Sequence, residues 1–286
     1  MAPLAADTQP ICAATRSSIM SGRYVIRTGF QHFNAPVGGG GVGALPLKEK
    51  LLPQYLKEAG YATHHVGKWH LGLIKPAYLP QNRGFDTSFG YYSGAIDYYQ
   101  HTAQGHLDLH RATAPGAEQT CGIIYDGTYD LGVLITEANR VLDRHSPQNA
   151  SARTAFSGPT SQPPVLEPLF LYLALHSVHE PNEVGEEWIR PFPDVPNPIG
   201  CPRRTMCGMI AAMDHGLGQF VDHWQTAKGE AFWNNTIILF HVRHSITFVT
   251  VRSYAQTDVG IERRPTMAAL CILGQPTRIC HCGAAS

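Results

Sequence analysis

The sequence is short of charge, and what charge it has is balanced. Charged residues make up 15% of the 286-residue chain, with Lys plus Arg and Asp plus Glu both at 22, whereas about a quarter is usual. Without a basic excess or stripe, no nucleic-acid partner is expected. Long apolar runs are missing as well. The longest, Leu169 to Leu175, is far below the roughly 20 residues that span a bilayer, so no membrane span is expected. The opening residues Met-Ala-Pro-Leu-Ala-Ala-Asp-Thr-Gln-Pro lack both a basic and an apolar signal segment, and no signal peptide is visible. Seven cysteines (Cys12, Cys121, Cys201, Cys207, Cys271, Cys280, Cys282) show no repeated spacing. They define no disulfide framework and leave room for one special free thiol. There is no internal repeat.

Glycine, proline and histidine are plentiful, at 28, 21 and 15 residues, which suits a loop-rich globular chain with long connections and a pH-dependent reserve of charge. Lys48 to Ala59 carries Leu51, Leu52, Tyr55, Leu56 and Ala59 at helical spacing and stops at Gly60. Tyr61 to Val66 reads as a short strand leading into Gly67-Lys68-Trp69-His70-Leu71-Gly72. Pro80 to Tyr99, aromatic and without a period, reads as an ordered loop, and Leu131 to Arg144 as a helix. Ser146 to Pro164 is a polar connection. Leu169 to Leu175 is continuously apolar, the pattern of a strand buried on both faces. Met206 to Trp224 repeats Met206, Met209, Ile210, Met213, Leu217, Phe220, Val221 and Trp224 on one stripe, and Thr236 to Phe240 is the next strand. Alternating helices and apolar strands give an α/β fold with a mainly parallel sheet. Ile246 to Val251 suits a further strand, and Tyr254 to Ser286 shows no period, so 241–286 reads as a divergent tail behind a domain at 1–240.

Several motifs have ordinary readings. Gly38, Gly40 and Gly43 formally satisfy a dinucleotide fingerprint with Glu58 downstream, but no strand precedes them, and a flexible linker fits better. Cys271 with Cys280-His281-Cys282 is too irregular for zinc and reads as a solvated tail. Asn149-Ala150-Ser151 and Asn234-Asn235-Thr236 are glycosylation sequons. A lone cysteine is usually a small buried hydrophobe, and Lys68 by itself would be a solvated charge.

One segment is more specific: Cys12-Ala13-Ala14-Thr15-Arg16, followed by Ser21-Gly22-Arg23. It resembles the signature of the type I sulfatases, Cys-x-Pro/Ala-Ser/Thr-Arg with Thr/Ser-Gly-Lys/Arg downstream. The likeness continues through Arg23 to His32, Leu51 to Leu73, Arg83-Gly84-Phe85-Asp86, Phe170 to Pro181 and Trp233 to Thr236. These stretches look like arylsulfatase B and its close relatives, in order over roughly residues 8 to 240.

The resemblance implies an alkaline-phosphatase-like α/β sandwich and hydrolysis of sulfate esters of sugars or aryl sulfates. It also implies lysosomal or secretory placement, and a formylglycine-generating enzyme as the partner that converts Cys12. The hydrated aldehyde is then the nucleophile. By resemblance Arg16 stabilises the hydrate, Lys68, His70 and His179 surround the sulfate, and a histidine such as His70 moves protons. The chemistry agrees: a sulfate monoester is anionic, and cations and donors suit it.

The family also implies a divalent cation, usually calcium, with formylglycine itself among the ligands. An aspartate pair on the first strand and an Asp-Asn pair after a later strand supply the rest, as a hard cation requires. Eleven residues precede Cys12, with Asp7 the only acid, so a first strand is expected to be missing. Phe240 is followed by His241-Val242-Arg243-His244-Ser245-Ile246, with no acid until Asp258. Beyond the Cys12 position, then, the other ligands are not found. The competing reading is an inactive sulfatase-like fragment or splice product that at most binds sulfate or a partner.

Overall fold

The computed structural model describes residues 5–6, 11–31, 43–114, 123, 125, 127–145, 167–199, 202–242, 245–250 and 268–274, with backbone alone at 5–6, 231, 242, 245–250 and 268–274. The first half runs β1 (Ala5–Ala6), α1 (Cys12–Ser21), α2 (Val25–Thr28), α3 (Leu52–Glu58), β2 (Ala62–Lys68) and β3 (Thr87–Tyr91). A small hairpin of β4 (Thr102–Ala103) and β5 (His106–Leu107) follows, then β6 (His110–Ala112) and α4 (Asp130–Arg144). The second half runs β7 (Leu169–Ala174), α5 (Glu186–Ile189), α6 (Arg203–Asn234), β8 (Thr236–Val242), β9 (Ser245–Thr250) and β10 (Ala268–Gly274).

Eight strands form one sheet in the order β1-β9-β8-β10-β7-β2-β3-β6. The central strands β8, β10, β7, β2 and β3 are mutually parallel, and the antiparallel pairs lie toward the edges. β7 is buried along its whole length, and its residues alternate between two cores. Leu169, Leu171 and Leu173 meet the α4 and α6 side, with Leu134, Ala138, Phe220 and Trp224. Phe170, Tyr172 and Ala174 meet the other, with Met20 from α1 and Trp69 and Phe85. A strand whose two faces are both covered by helices and aromatic loops has no polar position to give, which is why the run is unbroken.

The structure departs from the sequence reading in several places. Within the expected loop at 80–99, Thr87–Tyr91 is a strand in parallel register with β2, Gly67 opposite Gly90. Its Ser and Gly erase the apolar pattern that a buried parallel strand normally shows. Nothing periodic was expected after Tyr254, yet Ala268–Gly274 forms β10 between β7 and β8. Cys271, assigned to a solvated tail, therefore stands opposite Tyr172 and Leu239. Ahead of Cys12, the described backbone holds the two-residue β1, antiparallel to β9. Ile210, placed on the apolar stripe, is 46% exposed, and Tyr55 lies outward with the Lys50 ammonium 4.3 Å above its ring. α6 extends past Trp224 and breaks at Gly229 (φ 76°). The sequon at Asn149, Gly38 and Gly40, Cys280-His281-Cys282, Asp7, Asp258 and the connection 146–164 lie outside the described residues. No helix among the described residues is long and apolar enough to cross a membrane.

Candidate active site

α1 begins on Cys12, so the thiol sits at the positive end of a helix macrodipole that favours an anion there. Arg16 comes one turn later on the same face and is 1% exposed. Its guanidinium donates through Nη1 to the Lys68 carbonyl at 2.6 Å and to the Tyr172 hydroxyl at 3.2 Å, which ties α1 to β2 and β7. Lys68 ends β2 with no exposed surface, because β2 lies deep in the sheet, so the ordinary reading of a lone solvated lysine does not apply. Its ammonium donates to the Gly94 carbonyl.

His70 follows with a left-handed backbone (φ 57°), and this turn brings its Nδ1 to 3.2 Å from Cys12 Sγ. A Cβ on Gly94 would lie 3.0 Å from His70 Nε2, so that glycine leaves the space the ring fills. Burial first, then the charges of Lys68, Arg16 and His179, hold the His70 imidazole well below its ordinary pKa, so the ring is neutral. His179 completes the group, with Nδ1–H donating to the Glu180 carbonyl at 2.8 Å. Its main chain is gripped on both sides by Tyr98: the hydroxyl donates to the His179 carbonyl at 2.9 Å and accepts from its N–H at 3.1 Å.

The structure thus gathers Cys12, Arg16, Lys68, His70 and His179. Asn234 is far along the chain at the end of α6, 3.5 Å from Glu230 Oε1, and Thr236 of its sequon is buried in β8. Three contributors escaped the sequence reading. Gly94 was unremarkable in a glycine-rich stretch, Tyr98 was one aromatic among many, and His241 was read only as the residue standing where the family has an acid. His241 is 2% exposed, and burial with the Arg16 charge lowers it to about 4. Cavities of about 500 and 510 Å³ elsewhere are lined by none of these side chains.

A sequence profile of the family described as Sulfatase matches residues 5–241. The chain belongs to the sulfatase family. Mouse arylsulfatase J is 32% identical over 243 residues, covering 81% of this chain and 34% of the relative. Dog N-acetylgalactosamine-6-sulfatase is 28% identical over 247 residues, covering 82% and 41%. The crystal structure of Ps i-CgsB superposes with a TM-score of 0.62 at 26% identity, covering 84% of this chain and 50% of that one. This sulfatase-family chain therefore spans between a third and a half of the length of these three proteins. The sheet order and its helices carry the alkaline-phosphatase-like fold expected, in incomplete form.

The family's metal is tested by the donors at the site. Those around Cys12 are imidazole, ammonium and guanidinium groups, and the charged neighbours that add to burial in lowering His70 are all positive. Among the described residues no set of three or more His, Cys, Asp or Glu side chains is arranged to hold a metal ion. A hard cation such as calcium needs several oxygen ligands, so the described site does not fit it.

Proposed function

We propose that the chain is a sulfuric-ester hydrolase resembling arylsulfatase B, acting on sulfated sugars or aryl sulfates through a formylglycine made from Cys12. The observation that carries this reading is the approach of Cys12 Sγ to His70 Nδ1, at 3.2 Å, inside a buried group containing Lys68 and Arg16. The names of relatives support sulfated sugars: one is an N-acetylgalactosamine-6-sulfatase, and the Ps i-CgsB structure also exists in complex with k-i-k-neocarrahexaose. Lysosomal or secretory placement, and glycosylation at Asn234 and Asn149, belong to the same reading.

Conversion of Cys12 by the formylglycine-generating enzyme uses an external oxidant, molecular oxygen, to take two electrons from Cβ; oxygen replaces the sulfur, which leaves as sulfide, and water hydrates the aldehyde. One hydrate oxygen attacks the ester sulfur and gives up its proton, the S–O ester bond breaks, and the sugar or phenol oxygen takes up a proton and departs as the alcohol. The remaining hydroxyl then loses its proton, the carbonyl re-forms and sulfate leaves. Neutral His70, beside the nucleophile, is placed to take that proton. Lys68 supplies fixed positive charge to the sulfate oxygens, His179 a donor, and Arg16 steadies the hydrate while bracing α1 on β2.

The test combines the mass of the Cys12 peptide from cells that hold the modifying enzyme, turnover of an aryl sulfate, and binding of inorganic sulfate. Formylglycine, turnover and binding together support the reading. Sulfate binding without turnover moves the assignment to the non-catalytic sulfate binder, and loss of both overturns it.

A further inference from the structure

Behind His179 lies a buried acid–imidazole pair that the proposed chemistry does not use. Asp130 opens α4 and is 2% exposed, and its Oδ2 lies 3.1 Å from Nδ1 of His176, which is 1% exposed just past β7. The backbone N–H of Asp130 donates to the Tyr98 carbonyl at 2.8 Å. The His176 ring stacks on the Tyr98 ring, centroids 4.1 Å apart and planes 17° from parallel. The Tyr98 hydroxyl holds the main chain of His179, whose N–H also lies 3.1 Å from the His176 carbonyl. One aspartate therefore joins both supports of His179, reaching His176 through its side chain and Tyr98 through its backbone.

We propose that Asp130 and His176 are a positioning pair for His179, setting the place from which that histidine meets the sulfate group. The inference rests on the sulfatase reading for its consequence, not for its geometry. Asp130 is the link: α4, the Tyr98 loop and the end of β7 are distant in sequence and meet at this residue, His176 at its carboxyl and Tyr98 at its backbone N–H. Its proton has a definite home. Burial pushes the Asp130 carboxyl up to about 8, and burial with the Lys68 charge holds His176 well below its ordinary value, so the pair is neutral. The acid then donates to Nδ1 and the ring proton stays on Nε2. An amide at position 130 can make the same donation, and a methyl group cannot.

The test uses the full chain with Asp130→Ala, Asp130→Asn and His176→Phe, the last keeping a ring against Tyr98 without the link to Asp130. Three quantities are read: the dissociation constant of inorganic sulfate, the split of KM and kcat for an aryl sulfate, and exchange of the His179 amide against that of Leu171 in β7. With Asp130→Ala and His176→Phe, we expect weaker sulfate binding and a higher KM, each about tenfold, as loss of one hydrogen bond implies. His179 exchange should quicken at least as much while Leu171 stays protected. Asp130→Asn should restore all three to within about twofold.

The pair is overturned if Asp130→Ala keeps wild-type sulfate affinity and His179 exchange, or if Asp130→Asn is as damaging as Asp130→Ala. Should Asp130→Ala fail to fold, His176→Phe decides by the same criteria. A wild-type chain that binds no sulfate would overturn the sulfatase reading alone, and the His179 exchange rates would still decide the pair.

Discussion

Gly90→Ala should damage the molecule far more than an added methyl group usually does. A Cβ at Gly90 would stand 1.9 Å from the Gly67 carbonyl oxygen and 2.6 Å from its carbon, with φ at +144°. Gly67 cannot retreat, because its own Cβ position lies 2.1 Å from the Ala174 oxygen of β7. Three parallel strands meet here without side chains between them, and ordinary contact begins only near 3.4 Å. β3 must therefore move off β2 by about 1.5 Å, against hydrogen bonds that include Trp69 N–H to the Tyr91 carbonyl at 2.9 Å. The backbone strain is worth about 1–3 kcal/mol, and losing two ladder bonds adds roughly 1 kcal/mol each. A total of about 3–5 kcal/mol is a large share of the 5–15 kcal/mol typical of a domain. Urea unfolding measures it, with Gly22→Ala as the comparison: Gly22 has φ +65° and nothing within 4 Å of a Cβ, so strain alone, about 1–2 kcal/mol, applies. Because Lys68 follows Gly67 directly, sulfate affinity should fall as well. Equal losses in the two variants would refute the close-approach argument.

Cys12→Ser should abolish aryl-sulfate turnover while leaving sulfate binding measurable; residual turnover at the wild-type rate would place the nucleophile elsewhere. Lys68→Ala, His70→Ala and His179→Ala should each lose about 2–4 kcal/mol of sulfate binding or turnover, with exposed Lys48→Ala as the control. The Asp130 carboxyl is raised from 3.8 to about 8, so the folded state keeps a proton that the unfolded chain releases above pH 4. The stability this gives is complete below the unfolded value and declines as pH rises toward 8, by at most about 1.4 kcal/mol per unit. Asp130→Asn should therefore gain on the wild type between pH 5 and pH 8, and a difference flat with pH would contradict the assignment. Millimolar calcium should leave the Tm unchanged, and a rise of several degrees would show oxygen ligands outside the described residues.

Much of this was legible in the chain, and for definite reasons. Leu169 to Leu175 announced a strand covered on both faces, and the Cys12 motif with Lys68, His70 and His179 named residues that the fold brings near one another across long sequence separations. β3 was hidden because close strand approach demands Gly90 where a pattern search wants an apolar side chain. β10 was hidden by its position, seven apolar residues in a stretch whose neighbours have no period. The pairing of Asp130 with His176 spans 46 residues, and nothing local distinguishes a helix-opening aspartate that faces inward from one that faces water.

The place of β10 has a consequence for how the molecule is made. Among the described residues, the ladder hydrogen bonds that join β8, β9 and β1 on one side to β7, β2, β3 and β6 on the other run through a strand that ends at Gly274. Until that residue has left the ribosome, the nascent polypeptide holds two half-sheets with raw edges facing each other, and local contacts cannot close the gap. Assembly is thus weighted toward a late, long-range event, the regime in which folding is slow and exposed edges invite aggregation. A chaperone that shelters the edges of β7 and β8 until synthesis passes residue 274 should therefore raise the yield of native protein.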